Sequence, residues 1–265
     1  LEFGAKSWLV RGLLHFIRMW DSRTSAGVDA FMANSRFIAR RIEKVYRREA
    51  SVVYPPVNVE RFTCTAAKED FYVTASRLVP YKRMDLVIEA FNAMPEKRLV
   101  VIGDGPELSK LRRLAGPNVQ VMGWQPHEVL RDHMQRARGF VFGGEEDFGI
   151  ILLEAQASGT PVIAYGRGGA LETVVEHETG VFFDEQTVPS LNQAVVDFEE
   201  RAWDPQRCRL NAERYSARHF RERFENFVEG EWSRFAALSS QGETEAARAV
   251  SSWRLPQGAL INSAA

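Results

Sequence analysis

From Phe71 onward, short apolar runs alternate with stretches of helical period in a regular order. The strand-like runs fall at residues 71–76, 98–102, 118–122, 139–142, 161–164 and 180–183. Helix-period stretches fall between and after them, at 83–94, 106–114, 126–135, 149–158, 170–177 and 189–201. Six strands alternating with helices predict an α/β fold with a parallel, doubly wound sheet. Right-handed crossovers then place the loops after the strands on one edge, the edge where open α/β sheets bind ligands.

The chain before Phe71 reads differently. Residues 6–20 have helical period, with Trp8, Leu9, Leu13, Phe16, Ile17 and Trp20 apolar and Lys6, Arg11, His15 and Arg18 breaking them up. Such a segment packs against a neighbouring domain or lies in a membrane interface. Residues 29–34 and 51–54 read as short strands, and between them Ser35 caps a basic helix over 36–47. Pro55-Pro56 forces an extended turn and marks a candidate domain boundary. After Asp204 the pattern is helical through Tyr215 and again over 216–235. The small, polar residues beyond Ala236 are expected to be a disordered tail.

Composition narrows the function classes. The 265 residues carry a formal net charge of -1, so no global field steers the chain to nucleic acid or membrane. Cys64 and Cys208 are too few for a disulfide framework or a zinc site, which fits a reduced, cytoplasmic setting. No apolar run approaches the roughly 20 residues of a membrane span. His127, His133, His177 and His219 lack metal-ligand spacing, and no GxSxG elbow is present. No nucleophilic catalyst and no metal are assigned.

The stretch with the most chemistry is Gly143 to Gly159, GGEEDFGIILLEAQASG. A loop carrying Glu145, Glu146 and Asp147 leads through Phe148-Gly149 into a buried helix that Gly159 closes. Seven residues separate Glu146 from Glu154, which places Glu146 before the helix and Glu154 about 8 Å along its axis. Two carboxylates so placed can hold different parts of one elongated ligand, with the free N–H groups of the helix start suited to a phosphate between them. A carboxylate in an apolar helix needs a partner, and sugar or ribose hydroxyls qualify. A helix cap plus one ion-paired acid accounts for the spacing equally well.

Other loops add to this. Arg77 and Lys82 follow the 71–76 strand and together suit a diphosphate; two surface cations are the plainer reading. Gly103-Asp104-Gly105-Pro106 lacks the GxGxxG fingerprint, which disfavours a nicotinamide cofactor, and serves as a turn or a ligand contact. After the 118–122 strand, Met122-Gly123 would let a flat base approach the backbone. Gly166-Arg167-Gly168-Gly169 is a turn or an anion cradle, and not a Walker loop.

Taken together, the runs ANSRFIARRI, VVYPPVNVERF, TASRLVPYKRMDLVIEAF, VIGDGPE, EEDFGIILLEAQASGTPVIA and GGALETVVEHETGVFF resemble the retaining glycosyltransferases of family four, which have the GT-B fold. The resemblance covers roughly Asp21 to Phe235, and the paired glutamates around Phe-Gly are its most diagnostic part. The surroundings of Trp20-Asp21 and Ala33-Asn34-Ser35 look like the mannosyltransferase branch that uses GDP-mannose. The resemblance implies that Arg77 and Lys82 bind the donor diphosphate and that Glu146 holds donor-sugar hydroxyls. It gives Phe148, Gly149 and Ile150 backbone contacts to sugar and phosphate, Glu154 the ribose, and Met122-Gly123 the base. Glu146, Arg77 and Lys82 then carry catalysis, with retention of anomeric configuration, no cofactor and no metal. The partners implied are a nucleotide sugar and a glycan or lipid-linked acceptor, without nucleic acid and with peripheral contact at the inner face of the plasma membrane.

The same resemblance implies a divided chain. Residues 1–54 would be the last part of an acceptor domain, 55–215 a complete Rossmann-like donor domain, 216–238 a helix crossing back, and 239–265 the tail. A chain so bounded is expected to bind donor without transferring sugar. A sugar-nucleotide epimerase of the same architecture and a non-catalytic relative are the competing readings. Product analysis with donor alone separates the epimerase, because it changes the sugar with no acceptor present.

Overall fold

The computed structural model describes the backbone of residues 5–252 and the side chains of residues 7–238. Residues 1–222 form one compact unit and residues from Arg223 a second. In order, the elements are α1 (Ala5–Thr24), β1 (Phe31–Ala33), α2 (Arg36–Tyr46), β2 (Ala50–Val52), β3 (Glu69–Ala75), α3 (Met84–Asn92), β4 (Leu99–Ile102), α4 (Leu108–Leu114) and β5 (Val119–Gly123). There follow α5 (His127–Arg136), β6 (Ala137–Phe142), α6 (Ile150–Ala157), β7 (Val162–Tyr165), α7 (Ala170–Thr173), β8 (Gly180–Phe183), α8 (Val188–Glu199), α9 (Pro205–Glu213) and α10 (Ala217–Ser252).

Two sheets result. β1 and β2 pair in parallel as a small sheet, and the other six strands form a parallel sheet in the order β5-β4-β3-β6-β7-β8. Strands covered on both faces must be apolar throughout, and all four residues of β4 are buried. Chain order reverses between β3 and β6, which lie side by side. That switch point opens a crevice at the carboxyl ends of the two strands. The main core runs along the sheet from Phe71 to Phe198. A smaller cluster of Val57, Val59, Phe148, Leu153, Ala157, Ala212 and Tyr215 lies beneath the loop that enters α6.

The expected elements are found, with three differences of note. The helix expected over 106–114 starts at Leu108, because Gly105 and Pro106 belong to a turn. The helix expected over 170–177 stops at Thr173: Val174 is extended, and Val175 N–H donates to the hydroxyl of Thr179 instead of continuing the helix. The tail expected after Ala236 is helical to Ser252. Glu, Ala and Arg over 243–249 are strong helix formers, which a reading of low hydrophobicity as disorder overlooked. Residues 253–265 of that expected tail lie outside the described residues.

Within the first unit, α1 is exposed at every residue from Trp8 to Thr24. Among the described residues no helix is long and apolar enough to cross a membrane.

Candidate functional site

The crevice between β3 and β6 is built by two loops, each held by glycines. After β3 the chain passes through Ser76-Arg77-Leu78. Gly105 packs so closely against this turn that a Cβ would lie 2.4 Å from the carbonyl oxygen of Leu78. Leu78 N–H donates to the carbonyl of Asp104, and Glu107 N–H to that of Leu78. The Gly103–Gly105 turn therefore braces the loop that carries Arg77.

After β6 comes the acidic loop. Gly168 and Gly169 press against its backbone, where a Cβ on Gly169 would lie 2.3 Å from the Cα of Phe148. Gly169 N–H donates to the carbonyl of Glu146 at 2.7 Å, and Glu146 and Gly168 form an isolated parallel bridge. The Gly166–Gly169 run thus fixes the loop bearing Glu146. The sequence left a turn or an anion cradle open for this run; the contacts show a turn that also braces the neighbouring loop.

Between the loops lies a cavity of about 390 Å³ lined by Arg77, Lys82, Glu146, Phe148, Gly149 and Ile150, together with Asn34, Tyr81, Phe142 and Asp147. Lys82 and Glu146 form a salt bridge, with side chains only 13% and 18% exposed. Burial pushes the Lys82 ammonium below the usual lysine range, against the opposing charge of Asp147. The ammonium also sits over the rings of Tyr81 and Phe142, at 4.9 and 5.6 Å. Arg77 is exposed, and its guanidinium has no hydrogen bond or ion pair among the described residues. Gly149, in the left-handed region at φ 91°, is the N-cap of α6 and offers no side chain to its amides. The first N–H groups of a helix have no intrahelical partner, so those of Ile150 and Ile151 remain for a ligand.

Three expected site residues lie outside the cavity lining. Glu154 is one turn beyond Ile150 on α6, half-buried, without a hydrogen bond or ion pair to its carboxylate among the described residues. Burial raises its carboxyl above the usual range, and His127 only partly offsets this. Met122 and Gly123 end the edge strand β5, where the carbonyl of Gly123 accepts from Gly103 N–H. A second cavity of about 330 Å³ adjoins the first and shares Tyr81, Glu146 and Asp147 with it. Phe37 and Arg41 close it from α2, and Arg41 pairs with Asp147 at 3.2 Å. A further cavity of about 510 Å³ is at the opposite end of the sheet, where Glu69 and Asp132 engage Arg136.

Sequence reasoning missed Tyr81, Phe142, Tyr54 and Glu172. The Glu172 carboxylate accepts the backbone N–H groups of Arg36 and Phe37 and the hydroxyl of Tyr54, each at 2.9 Å. Tyr54 stacks on Phe148, with ring centroids 5.5 Å apart. No local pattern announces a contact between residues 118 or more positions apart. Phe142 belongs to an apolar strand run and Tyr81 adjoins the cation Lys82, so neither carries a signal of its own in the sequence.

The model of the family described as glycosyl transferases group 1 matches residues 60–215. The chain belongs to this family. A GDP-mannose-dependent alpha-(1-6)-phosphatidylinositol monomannoside mannosyltransferase of Mycobacterium tuberculosis is 30% identical over 206 residues, 66% of this chain and 54% of the relative. The GDP-mannose-dependent monoacylated alpha-(1-6)-phosphatidylinositol monomannoside mannosyltransferase of Corynebacterium glutamicum is 32% identical over 201 residues, 64% of this chain and 52% of the relative. The chain spans about half the length of these curated relatives. The structure of Anabaena Alr3699/HepE in complex with UDP and glucose aligns with a TM-score of 0.67 at 18% identity, over 76% of this chain and 63% of that one. With the six-stranded parallel sheet, this likeness makes the fold α/β of GT-B type.

Proposed function

We propose that this chain carries the donor site of a retaining hexosyltransferase that moves mannose from GDP-mannose to a glycan or lipid-linked acceptor. The observation that carries the reading is the convergence of Arg77, Lys82, Glu146 and the open amides of α6 on one cavity at the switch point. A diphosphate placed there meets a free guanidinium, a buried ammonium and a helix N-terminus. The names of the relatives support GDP-mannose as donor.

Before donor arrives, the Lys82–Glu146 pair keeps two poorly hydrated charges from being unpaired. On binding, Lys82 turns to the diphosphate and Glu146 to the sugar hydroxyls. Glu154, unpartnered and half-buried, takes the ribose hydroxyls, and Met122-Gly123 faces the base. The acceptor oxygen attacks on the face from which the diphosphate leaves, and the departing phosphate removes its proton. Catalysis is then positioning and stabilisation of leaving-group charge, which we assign to Arg77 and Lys82 without a metal. Residues before Pro55 belong, in this reading, to the acceptor half.

Calorimetric titration with GDP, GDP-mannose, UDP and UDP-glucose tests the reading. Binding of the guanosine pair, lost in Arg77→Ala and Glu154→Ala, is the expected result. A folded chain that binds none of the four overturns it.

A further inference from the structure

We propose that Glu172 is a positioning residue for Glu146, coupling α2 and Tyr54 to the turn that presents the donor-sugar acid. The inference rests on the donor-site reading above. Glu172 is not among the residues that line the cavity, so the role proposed for it is to hold those that do.

The contacts run in an unbroken series. One carboxylate oxygen accepts Phe37 N–H, and the other accepts both Arg36 N–H and the Tyr54 hydroxyl. The first amides of α2 are thereby satisfied by a side chain 135 and 136 positions away, where the helix dipole favours a negative charge. Ser35 fills the neighbouring need by accepting Ile38 N–H. Burial first, and Glu172 next, push the Tyr54 hydroxyl up to about 12, so at neutral pH it stays a donor. Its ring stacks on Phe148 at an interplanar angle of 23° and meets Tyr215 edge-on. Tyr215 closes the ring of contacts by donating its hydroxyl to the Glu172 carbonyl at 2.6 Å.

Phe148 stands two residues after Glu146, and Gly169, which grips the Glu146 carbonyl, stands three residues before Glu172. The acidic turn is therefore held from two sides by one short segment. Its glycines fix the backbone, and Glu172 fixes the Tyr54 ring against which Phe148 packs. Asn34, which lines the donor cavity, immediately precedes the capped start of α2. A movement of α2 must be felt at Glu146 through this contact series.

The test uses the whole chain as wild type, Glu172→Ala, Glu172→Gln and Tyr54→Phe. The glutamine cannot accept all three donors, and the phenylalanine keeps the stacked ring while removing one hydrogen bond. The variants are expected to weaken GDP-mannose binding roughly tenfold, the loss typical of a hydrogen bond to a charged group, while GDP binding moves less than twofold. A merely structural loss would weaken both ligands together, and that result, or no change in either, overturns the proposal. Hydrogen exchange provides the arm that needs no ligand: peptides spanning 145–153 should exchange faster in the variants while β3 and β4 stay protected. Should wild type bind neither nucleotide, the donor reading fails, and unchanged exchange over 145–153 independently overturns the coupling. Tyr54→Phe keeps both arms decisive if Glu172→Ala does not fold.

Discussion

The backbone N–H of Gly169 donates to the carbonyl oxygen of Glu146 at 2.7 Å, so a glycine run distant in sequence sets where the acid points. Gly169 has ordinary helical dihedrals, so closeness alone requires glycine: a Cβ would lie 2.3 Å from the Cα of Phe148. Gly169→Ala is expected to push the acidic turn outward at a cost of about 1–3 kcal/mol. Thermal unfolding should show that loss, and titration with nucleotide sugar should show weaker binding than the stability change alone explains, since most molecules remain folded.

Arg77 presents the opposite case. Its guanidinium makes no ion pair or hydrogen bond among the described residues and is exposed, so its removal leaves the fold untouched. Arg77→Ala should melt within about 0.5 kcal/mol of wild type. Diphosphate binding should fall by about 1.5–3 kcal/mol, the worth of a charge-assisted hydrogen bond. Parallel melting and calorimetry decide the matter, and an unstable variant with normal nucleotide affinity would refute the assignment.

The alternation of strand and helix was legible because strands buried on both faces leave continuous apolar runs, as in β4. The cationic loop and the acidic loop were legible as chemistry, and the strand order explains why they meet: β3 and β6 are neighbours although two strands intervene in sequence. The function of the glycines was not legible. Gly103–Gly105 and Gly166–Gly169 suit a ligand cradle as well as a turn, and their bracing contacts come from the packing of one loop on another, which no local pattern announces. Glu172 was illegible for a related reason, since its partners Arg36, Phe37 and Tyr54 come from the far side of the diproline. The short α7 shows β-branched residues and a Thr179 hydroxyl overriding a helical period.

Lys68 gives a stability test away from the site. Its ammonium donates to the carbonyls of Gln135 and Ser158 and to the Thr160 hydroxyl, without a carboxylate partner among the described residues. Burial pushes it down to about 8. The unfolded chain, with an ordinary lysine, holds that proton more tightly, so folding is disfavoured in full below about pH 8. Stability should recover as pH rises from about 8 towards the ordinary lysine value. In unfolding midpoints of wild type and Lys68→Met across this range, wild type should gain on the variant as pH increases. A gap that stays constant would show that Lys68 titrates normally.

Glu154 gives a second stability test, with the opposite protonation chemistry. Burial raises its carboxyl above the ordinary glutamate value, so the folded chain holds this proton more tightly than the unfolded chain does. Its ionisation therefore destabilises the fold progressively as pH rises through and above the ordinary value, and leaves it unaffected well below. Glu154→Gln removes that penalty while keeping the shape, and should unfold later than wild type at neutral pH, with the advantage vanishing in acid. If Glu154 holds the ribose as proposed, the same substitution removes one of the two carboxylate oxygens it offers and should weaken nucleotide binding. Melting curves at pH 4 and 7, with nucleotide titration at pH 7, measure both effects. A variant that is neither more stable nor weaker in binding at pH 7 would show that Glu154 is already satisfied within the fold and is not held for a ligand.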